Sequence, residues 1–171
     1  MTTESDDILQ IYRIAVRNAI TSGNTDVVPN SSPQHACIII EEMLDAAKES
    51  FIAFSGAFHD DVWTPAVINA LRRAKRRDVQ IALIASDDAS CVPEEVKDSA
   101  FVIRKDEAST AELSRLQSPR HHFAVADGRI VRVEYDLEKR MAAFSANRTD
   151  VANALIDEFL KLRKISDKAA A

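Results

Sequence analysis

Two short apolar runs constrain this 171-residue chain more than anything else in it. SFIAFSG (50–56) and VQIALIA (79–85) are each the length of one strand and carry little polar surface. Strands of that kind are buried on both faces and need cover on both. Between them lies a helical pattern. Asp60, Asp61, Thr64 and Pro65 supply start signals, and Trp63, Ala66, Val67, Ala70, Leu71 and Ala74 form an apolar stripe. A strand, a helix and a second strand in that order belong to a parallel or mixed sheet.

The remaining segments extend the pattern. Ile8, Ile11, Ala15 and Ala19, widened by Tyr12 and Val16, predict an amphipathic helix over 6–21. Residues 21–33 are rich in turn formers and read as a loop. Ser32 followed by Pro33 starts a second helix, with Ile40, Met43, Leu44 and Ala47 on its buried face. FVIRK (101–105) reads as a strand and STAELSRLQ (109–117) as a short helix. HHFAVAD, RIVRVEYD and RMAAFSAN read as three strands, the last two joined by a turn around Asp136–Lys139. Thr149 caps a final helix whose inner face is Val151, Leu155, Phe159 and Leu162. The expected fold is α/β, a mixed and mostly parallel sheet with helices on both faces. The expected divisions are an N-terminal helix and loop (1–32), one domain (33–166) and a frayed tail (167–171).

Composition narrows the function classes. A formal charge of −5 argues against a dedicated nucleic-acid coat. RRAKRR (72–77) suits a solvated helix C-terminus better than a nucleic-acid patch. His59-Asp60-Asp61 has no supporting ligand spacing, and helix-start chemistry accounts for both aspartates, so no metal or cofactor is expected. Cys37 and Cys91 lack CxxC spacing, which points to a reduced, cytoplasmic protein. MTTESDDILQ has no basic start or apolar stretch, and no run reaches the roughly 18 apolar residues of a membrane span.

The stretch SPRHHFAVADGRIVRVE (118–134) carries the chemistry. Along a strand residues 120 and 122 share one face and 121 points to the other, so His122 faces the same side as Arg120. The order of patterns resembles half of a phospholipase D-like domain. IIIEEMLDAAKESFIAFSGAF resembles the opening helix and strand of that family, and AVINALRRAKRRDVQIALIASDD its second pair. HHFAVADGRI falls where the family carries His-x-Lys-x4-Asp-Gly, FSANRTD is similar to its Gly-Ser-x-Asn-x-Thr, and ALIDEFLKLRK to its closing helix. The likeness covers about residues 33 to 165.

With Asp127-Gly128 as anchor, the family's histidine falls on Arg120 and its lysine on His122. A guanidinium cannot attack phosphorus, because it stays protonated, but it can fork onto a phosphate. His122 at the lysine position is displaced by roughly 6.5 Å along the strand, too far for in-line attack in an unmoved site. Ser145 and Asn147 match Ser-x-Asn, but 18 positions after Asp127, about twice the spacing of active members, with Phe144 in place of the glycine. The resemblance therefore implies a degenerate site. Arg120, His122, Asp127, Ser145 and Asn147 would bind phosphate or another anion in a binding or regulatory module. The competing expectation is a homodimeric, metal-independent phosphodiesterase or nuclease with His122 as nucleophile. By the same resemblance the chain would be a twofold homodimer. The first helix is amphipathic and must bury its stripe, either by folding back on its own sheet or by pairing with a second chain.

Overall fold

The computed structural model describes residues 4–55, 58–85, 94–102, 122–136 and 138–169. In chain order the elements are α1 (Glu4–Ser22), β1 (Val28–Asn30), α2 (Pro33–Ala46), β2 (Ser50–Ser55), α3 (Pro65–Arg76), β3 (Gln80–Ala85), a 3-10 turn (Glu94–Ser99), β4 (Ala100–Val102), β5 (His122–Ala126), β6 (Ile130–Asp136), β7 (Met141–Ser145) and α4 (Thr149–Ala169). The expected helix over 109–117, Cys91, and most of the 101–105 strand lie outside the described residues.

The strands form one sheet in the order β1-β7-β6-β5-β2-β3-β4. It is mixed, as expected, but not mostly parallel. Only β2–β3 and β3–β4 run parallel; the other four pairs are antiparallel. Tight connections account for two of these, β5–β6 and β6–β7, since short turns can join only antiparallel neighbours.

Helices cover both faces. On one, α1, α2 and α3 bury Phe51, Ala53, Leu83, Ala124, Ile130 and Phe144. On the other, Ala152, Leu155, Phe159 and Leu162 of α4 pack on Phe54, Ile84, Phe123, Val125 and Val131. The helix starts are those the sequence implies. Ser32 Oγ accepts the His35 N–H at 3.1 Å, Thr64 occupies the cap of α3, and a proline follows each. Asp61 is not a cap: it bonds Arg140 at 2.6 Å. α4 continues to Ala169, through positions expected to fray, in keeping with the helix-forming Lys168 and Ala169.

The segment before residue 33 belongs to the same sheet and core. β1 pairs with β7 as an edge strand, a position that tolerates Pro29 and that the proline hides from a strand pattern. Val16, Ala19 and Ile20 anchor α1 in the core. Arg13 pairs with Glu41 at 2.8 Å and Glu42 at 2.9 Å, and Arg17 with Glu42 at 2.8 Å. Part of the basic run 72–77 is paired within the chain: Arg73 pairs with Asp45 at 2.7 Å, and Arg77 donates to the carbonyls of Leu44, Asp45 and Ala47 at the end of α2.

Candidate functional site

β2 and β3 end at Ser55 and Ala85, and ligands of open α/β sheets collect beyond such carboxyl ends. β5 enters beside β2 in the opposite sense, so His122 starts at that same end. His122 and Glu134 are cross-strand partners in the β5–β6 pair. Glu134 Oε2 lies 2.9 Å from His122 Nδ1, and Nη2 of Arg132 lies 3.7 Å from the same oxygen. Ser55 stands one step beyond the Phe54–Phe123 pair, alongside His122.

Arg132 and Glu134 are buried and His122 half-buried, on the sheet face that α1, α2 and α3 cover. Arg132 is 6% exposed and Glu134 7%. Burial pushes the Arg132 guanidinium down from its ordinary value, against the pull of Glu134 and Tyr12. Burial would raise the Glu134 carboxyl, but the hydrogen bond and charge of His122, with Arg132 and Arg140, outweigh it and hold the carboxyl below its usual range. Nε of Arg132 has no hydrogen-bond partner among the described residues.

The roof adds three side chains. Asn30, at the end of β1 and 1% exposed, has no partner for either amide atom among the described residues. Tyr12 of α1 donates to the Pro29 carbonyl at 3.2 Å and stacks on His35 with ring centroids 4.0 Å apart. Its phenol is pushed up to about 12 by burial, with the Arg132 charge opposing. At the rim, the Arg140–Asp61 pair ties the β6–β7 turn to the chain between β2 and α3.

Of the residues expected to share one pocket, the four described ones, His122, Asp127, Ser145 and Asn147, are not brought together. Arg120 and His121 lie outside the described residues. Asp127 ends β5 at the far end from His122. There its carboxylate accepts the backbone N–H groups of Lys48, Glu49 and Ser50 at 2.9–3.2 Å, joining the α2–β2 turn to the β5–β6 turn. Ser145 pairs with Val131, on the face covered by α4, and Asn147 is exposed just beyond it. The reason is strand direction. The long spacing between Asp127 and Ser145 carries the chain through all of β6 and back along β7. β7 therefore ends level with the end of β5, not with its start.

Arg132, Glu134, Asn30 and Tyr12 escaped the sequence reading. A signal existed for two of them: with Asp127-Gly128 in a hairpin turn, pairing Ala126 with Ile130 puts Glu134 opposite His122 and Arg132 on the same face. Asn30 was hidden with β1.

No protein-family model matches the chain, and no curated protein is significantly similar to it. Solved structures are similar. Nuc from Salmonella typhimurium, a phospholipase D family member, aligns at a TM-score of 0.54 and 15% identity, covering 82% of this chain and 95% of Nuc. NucT from Helicobacter pylori aligns at 0.56 and 10% identity, covering 82% and 97%. TrmBL2, an archaeal chromatin protein described with a novel mode of DNA binding, aligns at 0.59 and 12% identity, covering 94% of this chain but 59% of TrmBL2. These likenesses establish a phospholipase D-like fold.

Proposed function

We propose that this chain binds a phosphate-class oxyanion at the donors of Arg132 that Glu134 leaves open, beside the His122–Glu134 pair, and does not turn it over, acting as a binding or regulatory module. One observation carries the reading: a guanidinium only 6% exposed, with the Glu134 carboxylate at 3.7 Å and an Nε that has no partner among the described residues. A buried guanidinium N–H without a partner among the described residues favours an oxyanion that could accept from it and from a neighbouring N–H at once. Arg132 thus has the fork chemistry that the sequence assigns to Arg120. Asp127 and Asn147 do not belong to this pocket, and Ser145 faces away from it.

A second reading has its own support. A carboxylate on Nδ1 of His122 leaves the other ring nitrogen to face a substrate, the arrangement that orients a nucleophilic imidazole. Titration calorimetry with inorganic phosphate, beside hydrolysis of a chromogenic phosphodiester, separates the two. Saturable binding that is lost in Arg132→Met, with no turnover, supports the module. Turnover that disappears in His122→Ala makes the protein an enzyme. Neither binding nor turnover defeats both.

A further inference from the structure

We infer that the pocket takes a small phosphate ester bearing hydroxyl groups, with its oxyanion at Arg132 and one of its hydroxyls on the Asn30 carboxamide. The inference rests on the oxyanion reading and adds a second pole to that site.

Asn30 Nδ2 and Oδ1, Arg132 Nε and His35 Nδ1 are buried and have no hydrogen-bond partner among the described residues. They come from β1, β6 and α2, and Tyr12 of α1 links the three. Its hydroxyl donates to the carbonyl of Pro29, next to Asn30, and its ring stacks on His35. Its phenol also lies in the field of Arg132. A single stranded atom can occur in any fold, but several around one side chain ask for a common partner. Asn30 is 1% exposed, so bulk water does not supply one.

Sheet register puts the two poles on one face. Asn30 pairs with Ala142 and Ala142 with Glu134, so the three side chains stand in one row. Asn30 and Glu134 are two strand spacings apart, roughly 10 Å at about 4.8 Å each. Only the methyl group of Ala142 stands between them in that row. Arg132 is two positions back along β6, on the same face.

The stranded atoms select the ligand's chemistry. A guanidinium only donates, whereas a carboxamide donates from Nδ2 and accepts on Oδ1. A fully ionised phosphate ester without hydroxyls would answer Arg132 and leave the Asn30 oxygen with no donor. A hydroxyl both donates and accepts, and so matches the amide on both counts. Sites that hydrogen-bond a hydroxyl reject analogues lacking it, because their polar groups are then left unpaired. Trapped water has the same chemistry, so the test turns on ligands that differ in their hydroxyls.

Titration calorimetry on the full chain compares inorganic phosphate, propyl phosphate, glycerol 3-phosphate and ribose 5-phosphate. At least one hydroxylated ester should bind about tenfold tighter than propyl phosphate, or better. Asn30→Leu should erase that advantage, bringing the hydroxylated esters to the level of propyl phosphate. Preference for glycerol 3-phosphate names an open polyol as the ligand's skeleton, and preference for ribose 5-phosphate a sugar ring. Equal binding of propyl phosphate and both hydroxylated esters would overturn the inference, as would an advantage that survives Asn30→Leu. The comparison among esters uses the wild type alone, so it decides the matter even should Asn30→Leu fail to fold. If none of the four binds, the oxyanion reading itself is lost. Binding without a preference for hydroxyls removes only the second pole.

Discussion

His122 and Glu134 meet across the β5–β6 pair with 2.9 Å between Nδ1 and Oε2, and Arg132 approaches the same carboxylate from the next position on that face. One buried carboxylate therefore holds two nitrogen groups, and the pocket's electrostatics turn on its ionisation.

Because the folded state holds the Glu134 carboxyl below its ordinary 4.5, its contribution to stability is complete above that value and fades as pH falls through the folded one. Glu134→Gln will unfold at lower urea than wild type at neutral pH. The gap between the two should close on acidification, as the wild-type carboxyl also becomes neutral. A gap that stays constant or widens in acid would show that ionisation of Glu134 is not what the substitution removes.

Arg132 offers a contrast of opposite sign. Replacing a poorly paired buried cation by an apolar chain of similar volume is often neutral or stabilising, so Arg132→Met should keep or raise the urea midpoint, by on the order of 1 kcal/mol. Glu134→Ala strands the guanidinium instead and should cost about 3 kcal/mol. A severe loss in Arg132→Met would mean that the guanidinium supports the fold, and the oxyanion reading would lose its main support.

Asp127 is a brace, and its substitutions should rank. Its backbone lies at φ +49°, a region asparagine tolerates and alanine does not. Asp127→Asn keeps one acceptor oxygen and should cost about 1 kcal/mol, whereas Asp127→Ala loses the acceptors and adds backbone strain, for about 3 kcal/mol. Equal losses, read by chemical denaturation, would show that the three N–H bonds contribute little.

Tyr12 should titrate late. With its phenol pushed up to about 12 by burial, the folded state holds that proton more tightly than the unfolded chain. Its share of stability is complete below about 10, the usual tyrosine value, and is lost as pH rises toward 12. Ultraviolet difference absorbance should show a late tyrosinate step that Tyr12→Phe removes. A late step that persists in Tyr12→Phe would place the Tyr12 ring in water.

What could be read in the sequence follows from how local each signal is. Ser32-Pro33 and Thr64-Pro65 mark helix starts within a few residues, and both starts are where the caps put them. The apolar runs at 50–56 and 79–85 give β2 and β3 because burial on both faces leaves a compositional mark. Strand direction leaves no mark in composition and shows only in connection length, as in the short β5–β6 and β6–β7 turns; nothing of the kind marks the antiparallel β2–β5 pair. β1 is three residues long with a proline at its centre, and only its pairing to β7 makes it a strand. The site suffers most from this, because it is assembled by cross-strand register: Glu134 and Arg132 acquire meaning only once β6 is laid against β5.

β5 has the His122 pocket at one end and the Asp127 brace just past the other, roughly 16 Å apart at about 3.3 Å per residue. Substitutions separated by more than about 7–10 Å, without shared partners, add nearly independently. Changes at the pocket end should therefore leave the brace intact, and the reverse should hold as well. A chain organised in this way can change its chemistry at one end of a strand without changing its shape at the other.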